Sequence, residues 1–243
     1  MIEGHQVSVL IPCLNEAGGL RQVLPSIPAW VDETLVVDNG STDRSPAIAR
    51  SLGARVVHEA RRGYGSACLR GLREASGELI VKCDGDGTYP AAAIGPLLQQ
   101  LLREPLDFIS ACRFPLRDQR AMSWQNRFGN RVLTVAANVC FGLQLTDSLS
   151  GMWAVRRSAI GRMRLTQHGI AFSQEIKVEA FCLGGMRARE VPIEYSRRIG
   201  TSKLMPIRDG FGCLMFLIAR RLETARRGPA IDDLSLRPSR DFR

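Results

Sequence analysis

The sequence is poor in residues that build the commoner catalytic centres. It has three histidines, His5, His58 and His168, and none sits at a metal-ligand spacing. A histidine-built zinc or iron centre is therefore not expected. The seven cysteines, at 13, 68, 83, 112, 140, 182 and 213, form no C-x-x-C pair, and most sit inside apolar runs. Reduced, buried thiols in a cytosolic protein are expected, not a disulfide framework. Aromatic residues make up 6%, with three Trp and three Tyr, which leaves a nucleic-acid surface without stacking platforms. There is no G-x-S-x-G elbow. The glycines of "RRGYGSA" (61–67) match neither a phosphate-binding P-loop nor a dinucleotide fingerprint. The longest apolar stretch, "GFGCLMFLIA" (210–219), is about half of what a membrane-crossing helix needs. It is bracketed by Arg208, Arg220 and Arg221. The start, "MIEGHQVSVL", lacks the basic n-region of a signal peptide and runs straight into a strand-like segment.

Positive charge is abundant. The formal charge is +9 and the pI near 9.7, so the surface attracts polyanions: nucleic acid, nucleotide phosphates or an anionic membrane face. An apolar fraction of 45% in 243 residues supplies a substantial core. No linker or internal repeat divides the chain. One domain over 1–227 is expected, followed by a Pro/Arg/Asp-rich, disordered tail at 228–243.

Short apolar runs alternate with amphipathic ones. Residues 7–12, 34–38, 54–58, 78–84 and 107–111 read as strands, continuous in Val, Ile and Leu as strands covered on both faces are. Residues 45–53 read as a helix with Ser45 as cap, Pro46 in the first turn and Gly53 as the stop. Residues 64–77 read as another, with Ala67, Leu69, Leu72 and Ala75 on one face. The alternation predicts an α/β fold with a mostly parallel sheet flanked by helices. Further on, 123–143 reads as a helix carrying Val132, Val135, Ala136 and Val139. Residues 173–185 form a helix closing on Gly184. Residues 188–196 are strand-like, with Pro192 suggesting an edge or bulge. An amphipathic helix at about 207–226 carries Phe211, Leu214, Met215, Ile218 and Leu222 at helical spacing.

In such sheets ligands bind outside the carboxyl ends of the strands. Three strand ends carry acids or amides: Asn15 and Glu16, Asp38 and Asn39, Asp84 and Asp86. The last pair lies in "VKCDGDGTYP" (81–90). It is not an EF-hand, since Tyr89 and Gly95 occupy the positions that need glycine and glutamate. Taken alone it is either a polar turn or a site for Mg²⁺ or Mn²⁺, which bind through one or two carboxylates plus substrate phosphates.

Five segments, in order, resemble one family: "IPCLNEAGGL" (11–20), "VVDNGSTDRS" (36–45), residues 61–90, "DSLSGMWAVRRSAI" (147–160) and "VPIEYSRRIGTSKLMPIRDG" (191–210). They resemble the inverting GT-A glycosyltransferases of family 2, and within it the polyprenyl-phosphate sugar synthases of the dolichol-phosphate mannose synthase type. The resemblance implies a GT-A, Rossmann-like fold and a metal-dependent transfer of a hexose from a GDP- or UDP-sugar. Under it, Pro12, Asn15, Glu16, Asp38, Asn39, Ser41, Arg62 and Gly65 would surround the nucleotide, with Asp43 supporting that loop. Asp84 and Asp86 would hold the metal and the sugar diphosphate. Arg198 and Lys203 would close on the diphosphate, while Arg113, Arg127 and Arg131 would meet an acceptor phosphate. Asp147 would serve either as base for a hydroxyl acceptor or to orient an arginine. Glu175 is either a site residue or an exposed helix acid. Two departures stand out: Thr88 replaces a frequent glutamine, and Asn39 a frequent second aspartate.

The implied chemistry is self-consistent. A lipid phosphate is already a nucleophile, so few bases are needed, and cationic clamps must bring two phosphates together. A polyprenyl phosphate acceptor requires docking at a membrane face. The basic C-terminal helix, with Phe211, Leu214, Met215 and Leu217, offers a peripheral, interfacial surface at the cytoplasmic face. The alternative for this helix is burial on the sheet or in a dimer interface, and a homo-oligomer or membrane-protein partner would also suit the surface. Two rival readings are the same donor chemistry on a soluble acceptor and a non-catalytic nucleotide- or nucleic-acid-binding module. The second rival leaves the strand-end acids without a role, so no nucleic-acid partner is expected.

Overall fold

The computed structural model describes residues 1–227; the predicted tail at 228–243 lies outside the described residues. Seven strands form one sheet: β1 (Val7–Cys13), β2 (Glu33–Asp38), β3 (Arg55–His58), β4 (Leu79–Lys82), β5 (Phe108–Cys112), β6 (Trp153–Arg156) and β7 (Ala188–Pro192). Their order is β3-β2-β1-β4-β6-β5-β7. Every pairing is parallel except those of β6, which runs against both β4 and β5. The helices are α1 (Ala17–Ser26), α2 (Ser45–Ser51), α3 (Tyr64–Glu74), α4 (Ile94–Arg103), α5 (Trp124–Phe141), the short α6 (Arg157–Ile160), α7 (Phe172–Val178) and α8 (Pro206–Arg227). Expected and observed strands agree closely, and Pro192 sits on the edge strand β7, where a missing N–H costs no ladder bond. Elements not expected from the sequence are α1, α4, α6 and β6. Ser45 is the first helical residue of α2 and not its cap.

Strand parity sorts the core into two layers. Val7, Val9 and Ile11 of β1 with Leu79 and Val81 of β4 face the α1, α2 and α4 side. Leu10 and Ile80 face α3 and α7, where Ala67, Leu69, Leu72 and Ala75 receive them. Lys82 has the parity of Ile80, so its side chain points into this second layer and is fully buried. A third cluster joins α5, α7 and α8 through Leu133, Ala137, Val178, Cys213 and Leu217.

Two expectations about helix faces need correction. On α5 the buried face is Asn130, Leu133, Thr134, Ala137 and Phe141, while Val132, Val135 and Val139 are exposed. The buried stripe mixes apolar and polar residues, so valine spacing alone marked the outward face. On α8, Leu217 is buried and Leu214 half-buried, leaving Phe211 and Met215 exposed. Five cysteines are buried, Cys140 is half-buried and Cys182 is exposed. No described helix is long and apolar enough to cross a membrane.

Candidate functional site

The chain runs outward from β1 to β2 and β3, then returns to β4 on the other side of β1. Such a reversal opens a crevice at the carboxyl ends of the strands. Because β6 is antiparallel, the turn before it (147–151) reaches the same rim as the ends of β1, β4 and β5. The crevice has a volume of about 380 Å³. Among the residues singled out from the sequence, Pro12, Glu16, Asn39, Arg62, Asp84, Asp86, Arg113, Arg198 and Lys203 line it.

Asp84 and Asp86 stand at its floor. Asp86 is 1% exposed. Its Oδ1 accepts hydrogen bonds from Thr88 N at 3.0 Å and Thr88 Oγ1 at 2.7 Å. Thr88 therefore orients Asp86. Burial, together with the neighbouring Asp84 charge, pushes the Asp86 carboxyl above its usual range, although Arg198 opposes this. Arg198 Nη2 lies 2.6 Å from Asp86 Oδ2 as an ion pair, but without hydrogen-bond alignment, so Oδ2 is a buried oxygen with acceptor capacity to spare. Asp84 Oδ1 is bonded by Lys82 Nζ. Burial alone would lower the Lys82 pKa, but Asp84 raises it well above the ordinary lysine value, so the ammonium stays charged.

Two glycines make this corner feasible. A Cβ on Gly151 would lie 2.6 Å from Asp84 Oδ2 and 3.1 Å from Lys82 Nζ. A Cβ on Gly19 would overlap Gly85 O and lie 2.9 Å from Asp86 Cα, so only glycine lets α1 approach the acidic turn. Among the described residues no three His, Cys, Asp or Glu side chains converge. The donor set is two carboxylates, which suits a hard cation completed by phosphate oxygens and water.

The loop 196–205 closes over this corner. Lys203 bonds Glu16, and Arg198 Nη1 lies 3.4 Å from Glu16 Oε1. Burial raises the Glu16 pKa, with Lys203 opposing it. The backbone N–H of Ile199 donates to Asp86 O at 2.8 Å.

On the opposite wall Arg113 is clamped by Asp147. Nε donates to Oδ2 at 2.6 Å and Nη2 to Oδ1 at 2.7 Å, a bidentate pair. Asp147 is fully buried and does not line the crevice, whereas Arg113 does. Burial would raise the Asp147 pKa, but the Arg113 guanidinium holds it below the usual carboxylate range. Both Asp147 carboxylate oxygens are thus engaged by Arg113. The Arg113 guanidinium also sits over the Tyr195 ring, 5.4 Å from its centroid. Beneath the 147–151 turn, Lys177 Nζ donates to Ser148 O and Ser150 O at 3.0 and 2.7 Å. Burial draws its pKa down to about 7.

Several expected site residues lie outside the crevice lining. Asn15, at φ +54°, uses Oδ1 to accept from Thr42 N at 2.8 Å, and its backbone N–H donates to Ser41 Oγ at 3.0 Å. Asp38 caps the same loop through Ser41 N at 3.0 Å and pairs with His58. Asp43 accepts from Ser45 N at 2.9 Å and Ala17 N at 3.2 Å. These residues build the loop that the crevice rests on. Asn39 shares that task, bonding Gly63 N, Glu59 O and Arg61 O. Gly65 is buried, and a Cβ there would clash with Gln167 O and Phe172, so only glycine fits. Arg127 bonds Gln119 and Arg131 is exposed; both lie on α5 away from the lining. Glu175 is buried, accepting from Thr166 and Gln167, and shapes the 166–167 loop.

Lys82, Tyr64, Tyr89, Gly151 and Tyr195 were not singled out as site residues. Tyr89 Oη accepts from Gly151 N, and its ring meets Tyr195 edge-on at 5.2 Å. For Lys82 a signal existed: a lysine inside a strand otherwise apolar on both faces demands a buried partner.

The model of glycosyl transferase family 2 matches residues 8–164. The chain is 33% identical over 225 residues to the glycosyltransferase AglJ of Haloferax volcanii, covering 90% of this chain and 72% of that protein. It is 31% identical over 207 residues to that organism's dolichyl-phosphate hexose transferase, covering 84% and 89%. It is also 30% identical to the hexosyltransferase Agl6 of low-salt glycan biosynthesis from the same organism, but spans 53% of its length. Among solved structures, glucosyl-3-phosphoglycerate synthase from Mycobacterium tuberculosis, in complex with Mn²⁺, UDP-glucose and phosphoglyceric acid, superposes with a TM-score of 0.73. That match is 25% identical and covers 90% of this chain and 80% of the other.

Proposed function

The chain belongs to glycosyl transferase family 2 and has the GT-A type of α/β fold, and from that premise we propose that it moves a hexose from a nucleotide sugar to a polyprenyl phosphate at a membrane face. The observation that carries the acceptor assignment is the Arg113–Asp147 pair. It presents a fixed guanidinium to the crevice while its carboxylate is fully buried and doubly bonded. That wall suits an acceptor that arrives already anionic and needs no base. The relative named a dolichyl-phosphate hexose transferase supports the same reading.

In this reading Asp84 and Asp86 would hold Mg²⁺ or Mn²⁺ together with the donor diphosphate. When bound, the cation neutralises charge developing on the leaving group. Glu16 and the loop around Asn39 and Arg62 border the nucleotide. Arg198 and Lys203 exchange their carboxylate partners for the diphosphate oxygens, so the 196–205 loop closes on the donor. Arg113, held by Asp147 and stacked on Tyr195, receives the acceptor phosphate and directs its oxygen at the sugar.

Membrane contact is supported by two exposed apolar stripes. Trp124, Phe128, Val132, Val135 and Val139 lie on α5, and Ile207, Phe211, Met215, Ile218 and Leu222 on α8, at identical spacing. Exposed Arg131, Arg208 and Arg221 accompany them. The crevice opens beside the start of α8, where Leu204 and Asp209 line it. Replacing Phe128 and Phe211 together by serine should lower the fraction of protein floating with anionic vesicles about tenfold. A wild-type protein that does not float would remove the membrane component.

The deciding assay supplies GDP- and UDP-sugars with Mn²⁺ or Mg²⁺ to a short-chain polyprenyl phosphate and to phosphoglycerate. A lipid-linked sugar that disappears with chelator is expected. Product only on the soluble acid would favour the acceptor type of the mycobacterial neighbour. No product from either, without donor hydrolysis, would remove the enzymatic reading.

A further inference from the structure

Both carboxylates at the crevice floor are paired with protein cations, but in different ways. Arg198 reaches Asp86 from a loop and is 27% exposed, so it can leave when another anion arrives. Lys82 cannot leave. It is a strand residue with 0% exposure, paired with Asp84 Oδ1. Its Nζ donates also to Tyr64 Oη at 2.6 Å, under α3. A Cβ at Gly151 would come within 3.1 Å of the same ammonium, so glycine leaves it room.

We propose that Lys82 is a fixed counter-charge that keeps the Asp84–Asp86 site weak for a divalent cation until the donor diphosphate is present. The proposal rests on reading Asp84 and Asp86 as the cation ligands. Two carboxylates attract a divalent ion, but an ammonium hydrogen-bonded to one of them repels it at close range. Salt cannot screen that repulsion, because no solvent reaches the lysine. Lys82 cancels one of the two negative charges, and Arg198 competes for the other. The diphosphate of the donor restores the missing negative charge and supplies the remaining oxygen ligands. Asp84 and Asp86 would then hold the cation only together with the diphosphate. Lys82 takes Asp84 Oδ1 and leaves Oδ2, and a Cβ at Gly151 would lie 2.6 Å from that oxygen, so glycine there keeps it uncrowded.

The test is Mn²⁺ titration of the full chain, with free Mn²⁺ read by electron paramagnetic resonance, with and without UDP or GDP. Wild-type protein should bind Mn²⁺ at least about tenfold more weakly without nucleotide. Lys82→Met and Lys82→Gln should each tighten nucleotide-free binding about tenfold; glutamine keeps a donor toward Asp84 and Tyr64 while removing the charge. Tyr64→Phe, which leaves the charge in place, should change it less than about twofold. Equal wild-type affinity with and without nucleotide would overturn the proposal, whether or not the variants fold. So would unchanged or weaker nucleotide-free binding in both lysine variants. Weakening by methionine that glutamine restores would make Lys82 an orienting group instead. Absence of Mn²⁺ binding even with nucleotide would strike the cation-site reading itself, a distinct result.

Discussion

Asp86→Ala should abolish sugar transfer, lowering kcat/KM by about 10³-fold, equivalent to about 4 kcal/mol of transition-state stabilisation, while the protein stays folded. Asp86 is buried, its Oδ2 carries no aligned hydrogen bond, and its charge is disfavoured by burial and by Asp84. Alanine leaves the two Thr88 donors without their acceptor, at a cost of about 1–3 kcal/mol, but relieves a charge disfavoured by burial, so the fold survives. Arg198 retains Glu16 as a partner. Asp86→Asn keeps the two Thr88 hydrogen bonds and the volume but removes the charge, and should lose nearly as much activity. Melting temperatures close to wild type, with turnover measured at saturating Mn²⁺, separate a site effect from misfolding. Turnover within tenfold of wild type in Asp86→Ala would end the assignment.

The second large effect is expected at Asp147. Its carboxylate holds Arg113 through two side-chain bonds and accepts the Arg113 backbone N–H at 3.1 Å. Asp147→Ala leaves a guanidinium 11% exposed without its counter-ion, which costs about 3 kcal/mol of stability. Activity should fall about 10²-fold, chiefly as a raised KM for the acceptor. Arg113→Ala should fall as far, and the double variant no further, because the two residues act as one unit. A general base would behave differently: Asp147→Asn would then lower kcat with acceptor KM unchanged. The linkage to pH has a definite sign. The folded pKa of Asp147 is depressed below its ordinary 3.8, so the pair stabilises the fold above that value. The contribution is lost as pH falls through the folded value. In Asp147→Asn the acid limb of a melting-temperature profile should be shallower. Wild-type kinetics in Asp147→Asn would sink the positioning role.

The sequence by itself determined the α/β class, the parallel strands β1 to β5, the amphipathic α8 and the cluster of acids at strand ends. Those features are local: a run of β-branched residues or a helical period is readable within a dozen positions. The parallel-sheet rule then carried the strand ends to one rim. Tertiary structure decided the rest. β6 ("WAVR") has no longer apolar run around it to mark it, and only its place between β4 and β5 makes it a strand. Its direction brings Gly151 to the crevice and Asp147 behind Arg113, and no local pattern encodes that reversal. The outward turn of Val132, Val135 and Val139 depends on which stripe of α5 meets α8. The loop roles of Asn15, Asp38 and Asp43 depend on backbone donors 2 to 28 residues away along the chain. Lys82 shows the boundary most sharply. Its identity and parity are written in "ELIVKCD", but its pairing with Asp84 is forced by burial: a charge taken from water keeps its proton only if an anion is held against it.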